Sequence, residues 1–225
     1  QCHPNNGEKQ EELPYSFEIQ PFDDGLLAYW AHYGIYEETL RRFRVRSLRS
    51  YASQTREGKP FEVKATPTEP IFAYIGNGYI KVYRPNSSKM RFLYGGRLPS
   101  PYCFGMEQIP SKGDMLFITG GEKDVLSLAA HGFSAISLNS ETAHLQSSMI
   151  EELSKRFKHI VFLYDCDETG KRESLLRVEE WKEKYKTSRV LLPLSGEKTS
   201  KDISDFFLEG RTRDELMKII EAQVR

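Results

Sequence analysis

Three short segments pair acidic residues close behind apolar runs. They are Glu122 and Asp124 in "LFITGGEKDVLSL", Asp165 and Asp167 in "VFLYDCDETG", and Asp202 and Asp205 in "KDISDFF". Asp165 and Asp167 are two apart in a stretch that reads as extended, so both side chains leave on one side. Carboxylates held that close repel one another unless a cation lies between them. Oxygen-only donors of this kind suit Mg2+ or Mn2+, which a few carboxylates commonly hold while substrate phosphates and water complete the shell. Any one of these acids would serve equally well as a helix cap. Three groups in corresponding places exceed what capping explains, and the pattern predicts a divalent-cation site.

Such a site needs a scaffold that aligns strand ends. From Ile109 onward, strands over "DMLFITGG", "SAISLN", "HIVFLYDCD" and "SRVLLPL" alternate with helices over "KDVLSLAAHG", 143–157, 170–185 and 212–223. Apolar strands alternating with helices predict an α/β fold, a parallel sheet flanked by helices on both faces. Ligands of open sheets of this kind bind beyond the carboxyl ends of the strands, which is where the acids fall. Upstream, residues 1–24 are polar and aperiodic and read as a linker or flexible tail. A helical pattern runs from Leu26 to about Tyr51, with Gly34 as an internal stop. Residues 52–68 are turn-rich. "IFAYIGNGYIKVYRP" then alternates around Gly-Asn-Gly as a β-hairpin, and "KMRFLYGG" supplies a third strand. The expected organisation is a tail over 1–24, a small α+β subdomain over 25–108 and the α/β domain over 109–225.

Bulk properties narrow the function classes. The chain has 225 residues, 39% apolar and 28% charged, which is ordinary for a globular protein that buries a real core. No apolar run approaches the ~18–20 residues that span a bilayer, and the first residues lack a secretory pattern; an intracellular, cytoplasmic protein with no membrane partner is expected. Cys2, Cys103 and Cys166 are too scattered for a disulfide framework or a closed zinc site. Cys2-His3 also lacks metal-ligand spacing. The 32 basic and 32 acidic side chains cancel, which argues against a dedicated duplex-DNA binder. Charge is nonetheless segregated: "RRFRVRSLRS" holds five arginines and no acid, as a solvated helix face or a phosphate-binding patch.

With these residues in view, "VFLYDCDETGKRE" resembles the D-x-D-x-x-G segment of Toprim domains, and "KDISDFFLEG" the Lys-Asp-x-x-Asp segment that follows it in primases. "LFITGGEKDVLSLAAHGFSAISLNS" is similar to their opening strand–turn–helix–strand. "GIYEETLRRFRV" and "FAYIGNGYIKVYRP…KMRFLYGG" look like the small α+β subdomain that precedes Toprim in DnaG-type bacterial primases and in phage and mitochondrial primase–helicases. The resemblance spans about residues 26–210. It implies a Toprim-like parallel sheet and metal-dependent synthesis of short primers on single-stranded DNA. Asp165, Asp167 and Asp202 would be metal ligands for Mg2+ or Mn2+. Asp124 would be a catalytic acid, and Lys201 a phosphate contact. Arg41, Arg42, Arg44 and Arg46, with Lys81 and Arg84 on the hairpin, would be template contacts. Implied partners are the single-stranded template, nucleoside triphosphates and a replicative helicase, in trans or in a longer parent chain.

One position departs from that pattern. The turn of these domains usually reads Glu-Gly-x-x-Asp, and here the glutamate position falls on Gly120. Glu122, two residues later, is either a substitute catalytic acid or simply a first-turn helix carboxylate. A primase-like enzyme is therefore weighed against a catalytically lapsed module that binds single-stranded DNA or a helicase. A Toprim nuclease is a further alternative, because a metal site alone does not decide between joining and cutting. Among the other polar residues, Asn139, Ser140 and Thr142 follow the second strand in a loop where a phosphate or a helix cap would fit. Tyr74, Tyr79, Tyr83, Phe92 and Tyr94 are candidates for base stacking or for packing.

Overall fold

The computed structural model describes residues 14–55 and 57–224. The Cys2-His3 reading and most of the expected tail lie outside them. The chain divides into two compact units, each built from two separate stretches.

The first unit takes residues 14–22 and 44–98. Its strands are β1 (Ser16–Gln20), β2 (Val45–Gln54), β3 (Pro60–Lys64), β4 (Ile71–Gly76), β5 (Tyr79–Tyr83) and β6 (Phe92–Gly96). They form one antiparallel sheet in the order β1-β2-β4-β5-β6, with β3 also paired to β2. The Gly-Asn-Gly hairpin forms as its sequence predicts, with Ile75 opposite Ile80 and Gly76 opposite Tyr79. Leu48, Tyr51, Ile71, Ala73, Ile80, Val82 and Leu93 pack together as the core.

Three sequence-based readings need correction here. Residues 45–54 are a strand rather than the end of a helix. Arg44 turns the chain with a positive φ of 56°, and Val45, Leu48 and Tyr51 are then buried in the sheet. The basic run "RRFRVRSLRS" is thus a helix end, a turn and a strand, and not one solvated helix face. Residues 60–64, read as turn, alternate exposed and half-buried as β3. Ser16–Gln20, read as part of a linker, is β1; a short edge strand this exposed leaves little apolar signal.

The second unit takes residues 23–43 and 99–224. Its parallel strands are β7 (Gly113–Thr119), β8 (Ala135–Ser137), β9 (Phe157–Leu163) and β10 (Thr187–Arg189), ordered β10-β9-β7-β8. Helices α1 (Asp24–Ala31) and α2 (Glu37–Arg42) come from the first stretch. The second stretch supplies α3 (Glu122–Ala130), α4 (Ser147–Arg156), α5 (Glu168–Trp181), α6 (Ile203–Leu208) and α7 (Arg213–Gln223). The observed division therefore departs from boundaries at 24 and 108, since α1 and α2 group with the parallel sheet. Trp30, Ile35 and Leu40 on and between these helices are fully buried, and Ser127 of α3 donates to the Tyr33 carbonyl at 3.3 Å. The fourth strand is shorter than "SRVLLPL" suggests, although Val190 N still donates to Phe162 O at 3.1 Å.

Candidate metal centre

The carboxyl ends of β7 and β9 lie side by side, with Thr119 in register with Leu163. Each strand is followed by a helix whose first turn carries an acid. Asp124 enters from α3, Asp165 from the segment between β9 and α5, and Asp202 as the N-cap of α6. One carboxylate oxygen from each of Asp124, Asp165 and Asp202 lies within 4.8 Å of the other two.

Local backbone chemistry explains why these segments hold their shape. Asp167 caps α5, accepting from Gly170 N at 2.9 Å. Gly170 packs onto the backbone of Asp165 so closely that a Cβ there would lie 2.2 Å from the Asp165 carbonyl oxygen. The glycine of the D-x-D-x-x-G spacing thus lets the helix start press against the strand end and fix both aspartates. Cys166 N donates to Lys201 O at 2.7 Å, tying this segment to the one before α6. There Asp202 and Asp205 form a capping box, Asp205 N donating to Asp202 Oδ1 at 2.8 Å. Ser204 Oγ in turn donates to Asp124 Oδ1 at 2.7 Å, joining α6 to α3.

The electrostatics follow from this crowding. Asp124 is buried, and burial with the neighbouring Asp202 charge pushes its carboxyl well above the usual range. Burial raises Asp165 as well, outweighing the Lys201 ammonium that pairs with it. Asp167 moves the other way: the Gly170 N–H holds its charged form, and Lys201 Nζ lies 3.1 Å from it. Lys201 thereby bridges Asp165 and Asp167, and Lys123 Nζ lies 3.3 Å from Asp202 Oδ2 and 4.4 Å from the Tyr33 ring centre. Burial opposes both ammonium charges, but the surrounding carboxylates outweigh it and raise both lysines. Oxygen-only donors crowded in this way, two of them with raised carboxyls, fit a hard divalent ion.

Not every candidate joins the cluster. Asp167 is a cap and a partner of Lys201. Glu122, 3% exposed, accepts from the Tyr102 hydroxyl at 2.7 Å. Asn139 and Ser140 are exposed, and Ser140 and Thr142 share a hydrogen bond within their turn. Arg41 and Arg42 lie at the end of α2 in the second unit, while Arg44, Arg46, Lys81 and Arg84 belong to the first. Arg42 donates to the Gln108 carbonyl at 2.6 Å, and Arg84 pairs with Glu69 at 3.8 Å. Lys81 is only 3% exposed and lies over the rings of Phe92 and Tyr94. Those two rings are exposed, whereas Tyr74 and Tyr83 are buried.

Two charged residues at the site escape a reading by motif. Lys123 is one. Glu141 is the other: its Oε1 accepts from Asp165 N at 2.6 Å, and burial together with the Asp165 charge raises its pKa to about 7. The glycine at position 120 was the available signal for it, because the space above that glycine is where the Glu141 carboxylate lies.

Residues 117–207 match the Toprim-like family. No functionally curated protein matches the sequence. Among solved structures, the Aquifex aeolicus primase (zinc-binding and RNA polymerase domains) is similar over 89% of the chain, with 16% identity and a TM-score of 0.63. The chain spans only 56% of that protein. A DnaG primase catalytic domain bound to ssDNA matches over 91% of the chain and 76% of its own, at 15% identity and a TM-score of 0.65. The primase fragment of the bacteriophage T7 primase-helicase protein matches over 97% and 83%, at 19% identity and a TM-score of 0.54. Residues 117–207 are a Toprim-like domain, carried in a chain with the fold of DnaG-type primase catalytic cores.

Proposed function

We propose that this chain is the catalytic part of a primase-type nucleotidyltransferase that makes short primers on single-stranded DNA. The observation that carries the reading is the convergence of Asp124, Asp165 and Asp202 at the carboxyl ends of a Toprim-like sheet. These three would hold Mg2+ or Mn2+. When bound, that cation orients nucleotide phosphates and offsets the charge that develops in phosphoryl transfer.

The chain's own residues then have separable tasks. Ser204 fixes the Asp124 carboxyl through its 2.7 Å hydrogen bond. Lys201 stays charged and balances Asp165 and Asp167, within reach of a triphosphate that displaces it from either. Arg41, Arg42, Arg44 and Arg46 are exposed or half-exposed cations suited to the template backbone. Phe92 and Tyr94 offer exposed rings for bases, with Lys81 fixing the rings beneath rather than meeting a phosphate itself. Nucleoside triphosphates, single-stranded DNA and a replicative helicase are the partners this reading requires.

The test is primer synthesis from labelled ribonucleotides on single-stranded DNA with Mg2+ and then Mn2+. Asp165→Asn/Asp167→Asn should lower product on the order of a hundredfold or more, the effect of losing several kcal/mol of charge stabilisation. Product that is unchanged in this variant would refute the reading.

A second reading rests on Gly120. A turn without the usual glutamate suits a module that binds single-stranded DNA or a helicase and makes no primer. Wild type that binds template yet is silent in the same assay, while Gly120→Glu synthesises, would establish it.

A further inference from the structure

The sheet order places β7 between β8 and β9. Glu141 belongs to the turn after β8, yet its carboxylate reaches the backbone of Asp165 after β9, donor to acceptor 2.6 Å. To do so it crosses the end of β7 directly over Gly120. A Cβ at Gly120 would lie 2.9 Å from Glu141 Oε1, 3.1 Å from its Cγ and 3.3 Å from its Cδ. A side chain at position 120 therefore cannot be added without shifting the Glu141 carboxylate from this position. The glycine that looks like a loss in the sequence is the opening through which an acid from the neighbouring strand is delivered.

The bonding of Glu141 fits a charged support of the cluster better than a brace alone. Oε1 is anchored on the Asp165 amide, so the side chain is fixed at the strand end that carries one of the clustered aspartates. Oε2 has no hydrogen-bond or ion-pair partner among the described residues. Glu141 stands outside the group of three oxygens that lie within 4.8 Å of one another, so a half-buried carboxylate tied to Asp165 by one oxygen adds its charge from beside that group.

We infer that Glu141 is a fourth carboxylate that supports the metal centre through Asp165, supplied from the β8–α4 turn in the place that Gly120 leaves open. This rests on the metal-dependent reading above. It also assigns Gly120 a positive role and removes the main argument for a lapsed site.

The test is Mn2+ binding to the full chain, followed by the paramagnetic signal of free Mn2+, with thermal melting as the check on folding. Glu141→Gln keeps an oxygen acceptor for the Asp165 amide and removes only the charge. It should melt like wild type and bind Mn2+ roughly tenfold or more weakly, the scale of losing a supporting group at a metal site. Gly120→Ala, which pushes the carboxylate off its anchor, should weaken binding similarly. In a Glu141→Ala background the same Gly120→Ala change should have no further effect on affinity, since the two act through one side chain. Wild-type affinity in Glu141→Gln, beside lost affinity in Asp165→Asn, would overturn the inference and leave Glu141 a brace. Wild-type affinity in Asp124→Asn, Asp165→Asn and Asp202→Asn alike would overturn the metal-centre reading itself.

Discussion

Gly170 shows how narrowly single residues set this site. A methyl group there would sit 2.2 Å from the Asp165 carbonyl oxygen and 2.7 Å from its nitrogen, against rigid backbone with no room to yield. Gly170→Ala should therefore cost about 1–3 kcal/mol, as overpacking does, and should lower Mn2+ affinity by displacing Asp165. Urea unfolding and metal titration of the same preparation check both. On the hairpin unit, Phe92→Ala and Tyr94→Ala should each weaken single-strand binding by about 1–3 kcal/mol, with little change in melting, because both rings are exposed. Loss of stability without loss of binding would make them packing residues. Asp124, Asp165 and Asp202 were legible as acids behind strand patterns, but not as the three that come together. Glu141 was not legible. Its role depends on the register of β8 beside β7, Ser137 against Thr119, and on a reach across a third segment that no local spacing records.

Between elements, hydrogen bonds join what the sheet places side by side. His159 on β9 is mostly buried, with a ring nitrogen 2.9 Å from Ser188 Oγ on β10. Burial, helped by Lys186, holds its pKa below the ordinary value of about 6.5. The unfolded chain then takes up this proton before the folded one does, so the stability His159 contributes is present above about pH 6.5 and is lost as pH falls through the lower folded value. His159→Gln should flatten that part of the melting-temperature profile and leave the neutral-pH value within a few degrees. The link between α3 and α6 is tested by Ser204→Ala, which removes the hydrogen bond to Asp124 and should cost about 1–3 kcal/mol for a buried acceptor left unsatisfied. Denaturant midpoints of the two proteins give the difference. At this scale the parallel strands and the hairpin were readable because their apolar periods are strong. Strand β2 was misread as helix because its arginines and serines break the alternation, and only pairing with β4 and β1 reveals it. Helix α6, six residues long, is defined by its capping box and by Phe206 beneath it rather than by any period.

For the molecule as a whole, the division of the chain is the part least visible in sequence. Composition shifts near residue 108, and a boundary there is the natural reading. The contacts instead assign residues 23–43 to the unit of the parallel sheet. Trp30, Ile35 and Leu40 are completely buried, and fully burying a side chain of that size is worth about 1.5–3 kcal/mol. A fragment of residues 109–225 should therefore unfold at lower denaturant and with a broader transition than one in which residues 23–43 are joined ahead of residue 99. Equal midpoints would mean that the two early helices add nothing to this unit.

The same division sets an order of events during synthesis. Helices α1 and α2 leave the ribosome long before strands β7 to β10 that they accompany, and strands β2 to β6 of the antiparallel sheet are made in the interval. Trp30 and Leu40 must wait, uncovered, while their neighbours in sequence are already pairing. Every strand of the antiparallel sheet has been made once Gly96 is added, whereas the unit bearing the acids is completed only from its distant half. A pause or a chaperone acting between those two moments would govern the yield of the metal centre more than of the sheet made before it.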